Sequence, residues 1–168
     1  MVQIGNYHIG RSNTAKEPVI NSGEAFFLWQ FLLSRYGCIE KTRLYVQLIH
    51  DIEFKLVVQK ELHNTLEKQA KEMEELMNSF KLPLPCRPPA NENIEVNSKT
   101  INDRFIFSDV FLGCCTLIGY LAHGIVHFTT NDSLRKKFIG ILCQELEVYD
   151  DMCKYGKVKG WLEEPPLA

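Results

Sequence analysis

Apolar side chains recur every three or four residues along four long stretches of the chain, and the connector between the second and third stretches is far longer than the other two. That spacing is the period of an α-helix with one buried face. The first helix is predicted from about Ser22 to His50, with Trp29, Leu33, Tyr36, Glu40, Leu44 and Gln47 or Leu48 along its seam. Leu28, Leu32 and Ile39 widen the stripe. Asn21 offers an N-cap, and Glu24 three residues later completes a capping-box pattern. Asp51 caps a second helix, predicted from about Ile52 to Lys81, whose later half places Leu62, Leu66, Gln69, Met73, Leu76 and Phe80 on one seam. Glu67 and Lys71 stand at a spacing that favours an outer-face ion pair.

Pro83, Pro85, Pro88 and Pro89 stop that helix. A third helix is predicted to open at Ser108 or Asp109 and to end near Phe128, with Val110, Cys114, Leu117, Leu121, Ile125 and Phe128 on its seam. After a tight Thr129–Asp132 turn, a fourth runs from about Ser133 to Tyr155. Its seam is Leu134, Phe138, Ile141 or Leu142, Glu145, Val148 or Tyr149, and Met152, with Gly156 and Gly160 expected to close it.

The loop lengths decide the topology. Very short connections make the first pair and the last pair of helices antiparallel. A helix of about 29 residues is about 43 Å long, and a connector of about 22 residues reaches up to roughly 75 Å. The connector can therefore run the length of the bundle, making the second and third helices parallel. Short, long, short is the connection pattern of an all-α, ferritin-like four-helix bundle with one long crossover. The expected organisation is an irregular N-terminal arm over residues 1–20 and one bundle domain over 21–168. That domain contains the crossover at 82–104 and an apolar C-terminal tail at 160–168.

Composition narrows the classes. The 168 residues suffice for one domain with a real core, and 45% hydrophobic against 24% charged is ordinary for a globular chain. A formal net charge of −2 argues against nucleic-acid binding. The longest unbroken apolar run, Ala25–Trp29, is far short of the roughly 20 residues of a membrane span. Met1–Asn21 lacks a basic-then-apolar leader pattern, so a cytoplasmic protein is expected. The cysteines at 38, 86, 114, 115, 143 and 153 contain no C-x-x-C, and four lie on predicted apolar helix faces. They read as buried reduced thiols, apart from Cys86 in the Pro-rich loop.

The polar seam residues are the places where chemistry could sit. A di-metal carboxylate site in such a bundle needs a Glu from each of two helices and a Glu-x-x-His from each of the other two. The second helix offers Leu66-x-x-Gln69 and the fourth Glu145-x-x-Val148, so half the ligands are missing. No cofactor is expected. Glu40, Gln69 and Glu145, with Tyr36, Tyr149 and Arg43 as partners, read as a buried hydrogen-bonded cluster, or alternatively as a degenerate metal or small-ligand site in the bundle core. His123 and His127 stand one turn apart but point away from the seam, and His63 with Glu67 forms a second flank pair; both are weak metal candidates. No nucleophile motif or phosphate loop is present, which favours a non-enzymatic role. Phe26, Phe27 and Phe31 make the first helix apolar on more than one side, which suggests a homodimer through that helix.

Several motifs in order carry a resemblance. They are Leu28-Trp29 in the first helix, the Asp51 cap, the Leu82-Pro83-Leu84-Pro85 break and the Phe107-Ser108-Asp109 opening of the third helix. Glu147-Val148-Tyr149 and then Gly160-Trp161-Leu162-x-x-Pro165-Pro166 complete the set. From Gly23 to Pro166 the chain resembles an uncharacterised ferritin-like family of Bacillus-type bacteria labelled as putative spore coat proteins, similar to the spore coat protein F group. The resemblance implies a helical bundle and a sporulation role, with other coat proteins as partners and incorporation into the spore coat. It implies no catalytic residue. The expected mechanism is docking, through the aromatic stripe of the first helix and the Trp161–Pro166 tail.

Overall fold

The computed structural model describes residues 2–4, 7–9, 19–89 and 101–166. Four helical rods form an all-α bundle. The first is α1 (Ser22–Leu48). The second consists of α2 (Ile52–Glu61), a π-helical turn (Leu62–Glu67) and α3 (Lys68–Ser79). The third is α4 (Asp103–Ile125) and the fourth α5 (Asp132–Lys159). Within the arm, β1 (Val2–Ile4) pairs antiparallel with β2 (Tyr7–Ile9), Val2 opposite Ile9. Two residues, Gly5 and Asn6, separate the strands in sequence. The rest of the arm and most of the crossover lie outside the described residues.

Each rod begins at an Asn or Asp cap. Asn21, Asp51, Asn102 and Asn131 each accept a hydrogen bond from the backbone N–H three residues on, at 2.8–3.0 Å. The third rod therefore starts at Asn102, several residues before the predicted Ser108. The added turn buries Ile106 and Phe107. At the other end of the second rod, Lys81 takes a left-handed backbone conformation (φ 57°) and ends α3 before the prolines are reached. α5 continues past Tyr155 to Lys159. Gly160, at φ 65°, is its C-cap, whereas Gly156 is a buried position inside the helix.

Two carboxylates fix the order of the rods. In the first turn of α1, Glu24 accepts bonds from the backbone N–H groups of Thr130 and Asn131 in the α4–α5 turn, at 2.9 and 3.1 Å. In the first turn of α4, Asp103 accepts bonds from the N–H groups of His50 and Asp51 in the α1–α2 turn, at 2.9 and 2.7 Å. The start of α4 thus lies at the end of the bundle where α2 also starts. α2–α3 and α4 run parallel, so the end of α3 and the start of α4 lie at opposite ends of the bundle.

The core divides into two aromatic clusters. One, toward the start of α1, contains Phe27, Phe31, Phe128 and Phe138. The other, toward its end, contains Tyr45, Phe54, Phe107 and Met152. Trp161 of the tail stacks edge-on against Phe54, with ring centroids 5.3 Å apart, and lies 5.8 Å from Phe107. The tail residue expected to dock on a partner packs on its own bundle instead.

Candidate functional site

A buried polar layer lies midway along the rods. Arg35 of α1, Gln69 of α3 and Glu145 of α5 are 2%, 6% and 3% exposed. Arg35 Nη1 donates to Gln69 Oε1 at 3.2 Å, and Gln69 Nε2 donates to Glu145 Oε1 at 3.2 Å. The guanidinium nitrogen also lies 3.5 Å from that carboxylate oxygen, and its carbon sits over the Phe31 ring at 5.1 Å. Burial pushes the Glu145 carboxyl above its ordinary pKa, against the opposing pull of Arg35 and Gln69. Arg35 Nε has no hydrogen-bond partner among the described residues.

A cavity of about 110 Å³ adjoins this layer. Cys38, Thr42, Val58, Thr65, Cys114 and Val148 line it together with Arg35 and Glu145. The π-helical turn forms part of its wall through Thr65 and Leu66. Burial, with Glu145 nearby, raises the Cys114 thiol to about 12, so it stays protonated. Lys41 and Asp109, paired at 2.7 Å, stand on the wall shared with a surface groove between α1 and α4. Although burial raises the Asp109 carboxyl, the bonds from Lys41 and Tyr45 bring it below its ordinary value.

Of the residues singled out from sequence, Gln69 and Glu145 meet and the others lie elsewhere. Glu40 is half-buried on the flank, where Arg43 reaches it at 3.4 Å and Glu67 at 2.9 Å. Tyr36 donates to Glu74 at 2.7 Å and is pushed up to about 12 by burial and that carboxylate. Tyr149 stacks on Phe111, with centroids 5.3 Å apart. His63 Nδ1 lies 2.9 Å from Glu67 Oε2, so Glu67 is engaged by Arg43 and His63 rather than by Lys71. His123 and His127 are exposed, with ring centroids 5.1 Å apart. Sequence reasoning missed Arg35, which sits one position before the seam residue Tyr36. The seam carboxylate Glu145 was the available signal, since a buried carboxylate must find a partner, take up a proton or reach water.

The donor set does not fit a metal pair. Glu145 already faces a guanidinium, and Gln69 contributes an amide. No group of three or more His, Cys, Asp or Glu side chains is arranged to hold an ion among the described residues. None of the six cysteines is fully buried or in a disulfide: Cys86, Cys115 and Cys143 are exposed and the other three half-buried. The thiols expected in the core lie at its edge or outside it; for Cys114 and Cys115 this follows from α4, which turns much of its apolar surface outward. That helix is long and apolar enough to cross a membrane by length and composition, and only 22% of its most apolar segment is buried. In this fold it packs chiefly along α5 as one rod of the bundle.

These features define an all-helical bundle whose middle is closed by an ion pair. The chain belongs to the DUF3231 family, described as a protein family of unknown function, which matches residues 9–168. Its fold is that of a putative spore coat protein from Bacillus halodurans, with a TM-score of 0.80 at 24% identity over 88% of this chain and 94% of that one. No curated protein matches the chain.

Proposed function

We propose that this chain is a non-enzymatic structural protein of the spore, a ferritin-like bundle akin to the spore coat protein F group, that acts by pairing with a second copy of itself. It is made in the cytoplasm and joins the coat. It needs no cofactor, binds no nucleic acid and does not span a membrane. The observation that carries this reading is an apolar outer face shared by α1 and α4. Phe26, Leu33, Leu112 and Val126 are 60%, 42%, 64% and 67% exposed. Phe27 and Phe31, expected on that face, are buried, so α4 replaces them as the second half of the surface. Leu33, Leu112, Thr116 and Tyr120 border a groove of about 560 Å³ between the two helices. A face of this kind marks an interaction site. The similarity to a spore coat protein supports the place of action.

Sedimentation velocity of the full chain and of the double variant Leu33→Glu/Leu112→Glu tests the reading. The native chain is expected to sediment as a dimer and the variant as a folded monomer. A native monomer at every concentration contradicts it.

A further inference from the structure

His123 and His127 face each other where α4 ends. Both are exposed, and their ring centroids stand 5.1 Å apart with the ring planes at 78°. The backbone beneath them is fixed. Gly124 and Phe128, each one residue further on, are buried. The closing turn is held by a bond from the His127 N–H to the Gly124 carbonyl at 3.0 Å and one from the Phe128 N–H to the Ile125 carbonyl at 3.1 Å. Rings on so firm a support are placed before any ligand arrives. His50 and His63 lie against the carboxylates of Asp103 and Glu67, at 3.7 and 2.9 Å. His123 and His127 lie against each other instead, so an ion can engage both rings without breaking an ion pair.

The ring spacing selects the ligand. An imidazole nitrogen binds zinc at about 2.0–2.1 Å and the ring centre lies roughly 1.1 Å beyond it, which puts each centre about 3.2 Å from the ion. Two centres 5.1 Å apart then subtend an angle of about 106° at the ion, close to the tetrahedral value. The C-terminal end of α4 also carries the negative pole of the helix dipole, which favours a bound cation. Imidazole suits copper, nickel and zinc, whereas magnesium and calcium take oxygen donors. We propose that His123 and His127 chelate one divalent transition-metal ion at the protein surface. No third His, Cys, Asp or Glu joins them among the described residues, which leaves the ion's other positions to water. Both ligands belong to one chain, so binding does not depend on self-association.

Calorimetric titration of the untagged full chain with nickel chloride tests this. One ion is expected to bind per chain. His123→Gln and His127→Gln should each lower the affinity about a hundredfold, since the second nitrogen of a chelate binds at high effective concentration. The double variant should be little weaker than either single one, and His50→Gln/His63→Gln should bind nickel as the native chain does. Circular dichroism of all these variants should match the native chain, because the side chains are exposed. Copper(II) at a tenth of the protein concentration should broaden the ring-proton NMR signals of His123 and His127 together and leave those of His50 and His63 sharp. Native chain that binds no nickel overturns the inference. So does binding that survives undiminished in either single variant, as at the exposed thiols, or broadening of only one of the two rings.

Discussion

Arg35 Nη1 lies 3.5 Å from Glu145 Oε1 in the middle of the bundle, and Gln69 is hydrogen-bonded to both side chains. Three rods thus meet at one buried charge pair. Its mutual attraction offsets only part of a desolvation cost of several kcal/mol per ion, so losing either partner leaves the other exposed to that cost.

Arg35→Met should therefore lower stability at neutral pH by about 3–5 kcal/mol, because it leaves a buried carboxylate without its cation. The loss should shrink at acid pH, where Glu145 takes up a proton. Arg35→Met/Glu145→Leu should recover most of it. Urea unfolding of the native chain, both single variants and the double variant gives the coupling; additive effects would show the pair to be incidental.

The raised pKa of Glu145 has a definite sign. The folded carboxyl holds its proton more tightly than the unfolded one, whose ordinary value is 4.5. Its contribution to stability is fully present below that value and is lost as pH rises through the folded pKa. Glu145→Gln removes this titration. The stability of the native chain minus that of the variant should fall with rising pH across that window and then level off. A difference that grows with pH would mean that the folded pKa is depressed.

Glu24 binds two N–H groups of the α4–α5 turn as well as that of Asn21, at 3.0 Å. Glu24→Ala should cost about 3 kcal/mol, since three charge-assisted bonds to partly buried backbone donors are lost. Amide exchange at Thr130 and Asn131 should speed up before global unfolding. Unchanged protection there would contradict the proposed role of Glu24.

Gly124 is fixed by a close approach. A Cβ there would stand 1.8 Å from Phe27, a ring held by Tyr120, Phe128 and Phe138 at centroid distances of 4.8–5.3 Å. Gly124→Ala should destabilise by about 2–3 kcal/mol. Gly140, with open space around its Cβ position, should accept Ala with a gain of about 0.5–1 kcal/mol. Thermal melts of the two variants should shift in opposite directions.

The rods and their connections were legible because each carries a periodic apolar stripe and an Asn or Asp cap. Where the reading slipped, a second physical effect intervened. The π-helical turn at Leu62–Glu67 adds a residue to its turn and rotates the face beyond it. Gln69 and Met73 are buried as expected, but Ala70 and Met77 join them, while Leu66, Leu76 and Phe80 are only half-buried against the core. The start of α4 was hidden by the dense apolar run Phe105–Phe107, although Asn102-Asp103 carried a cap signal. Gln69 and Glu145 were visible as polar residues on a seam. Arg35 was not, because a long cation beside a seam usually reaches for solvent. Glu24 was legible as a local cap, but its reach to Thr130, across more than half the chain, has no local signature.

The account rests most heavily on the outer face of α1 and α4 being covered by a second copy of the chain. Hydrogen–deuterium exchange measured over about a hundredfold range of protein concentration tests this directly. Peptides containing Leu33 and Leu112 should become more protected as concentration rises, while those containing His63 and Lys154, on other surfaces, stay constant. Exchange at Leu33 and Leu112 that is independent of concentration would contradict it.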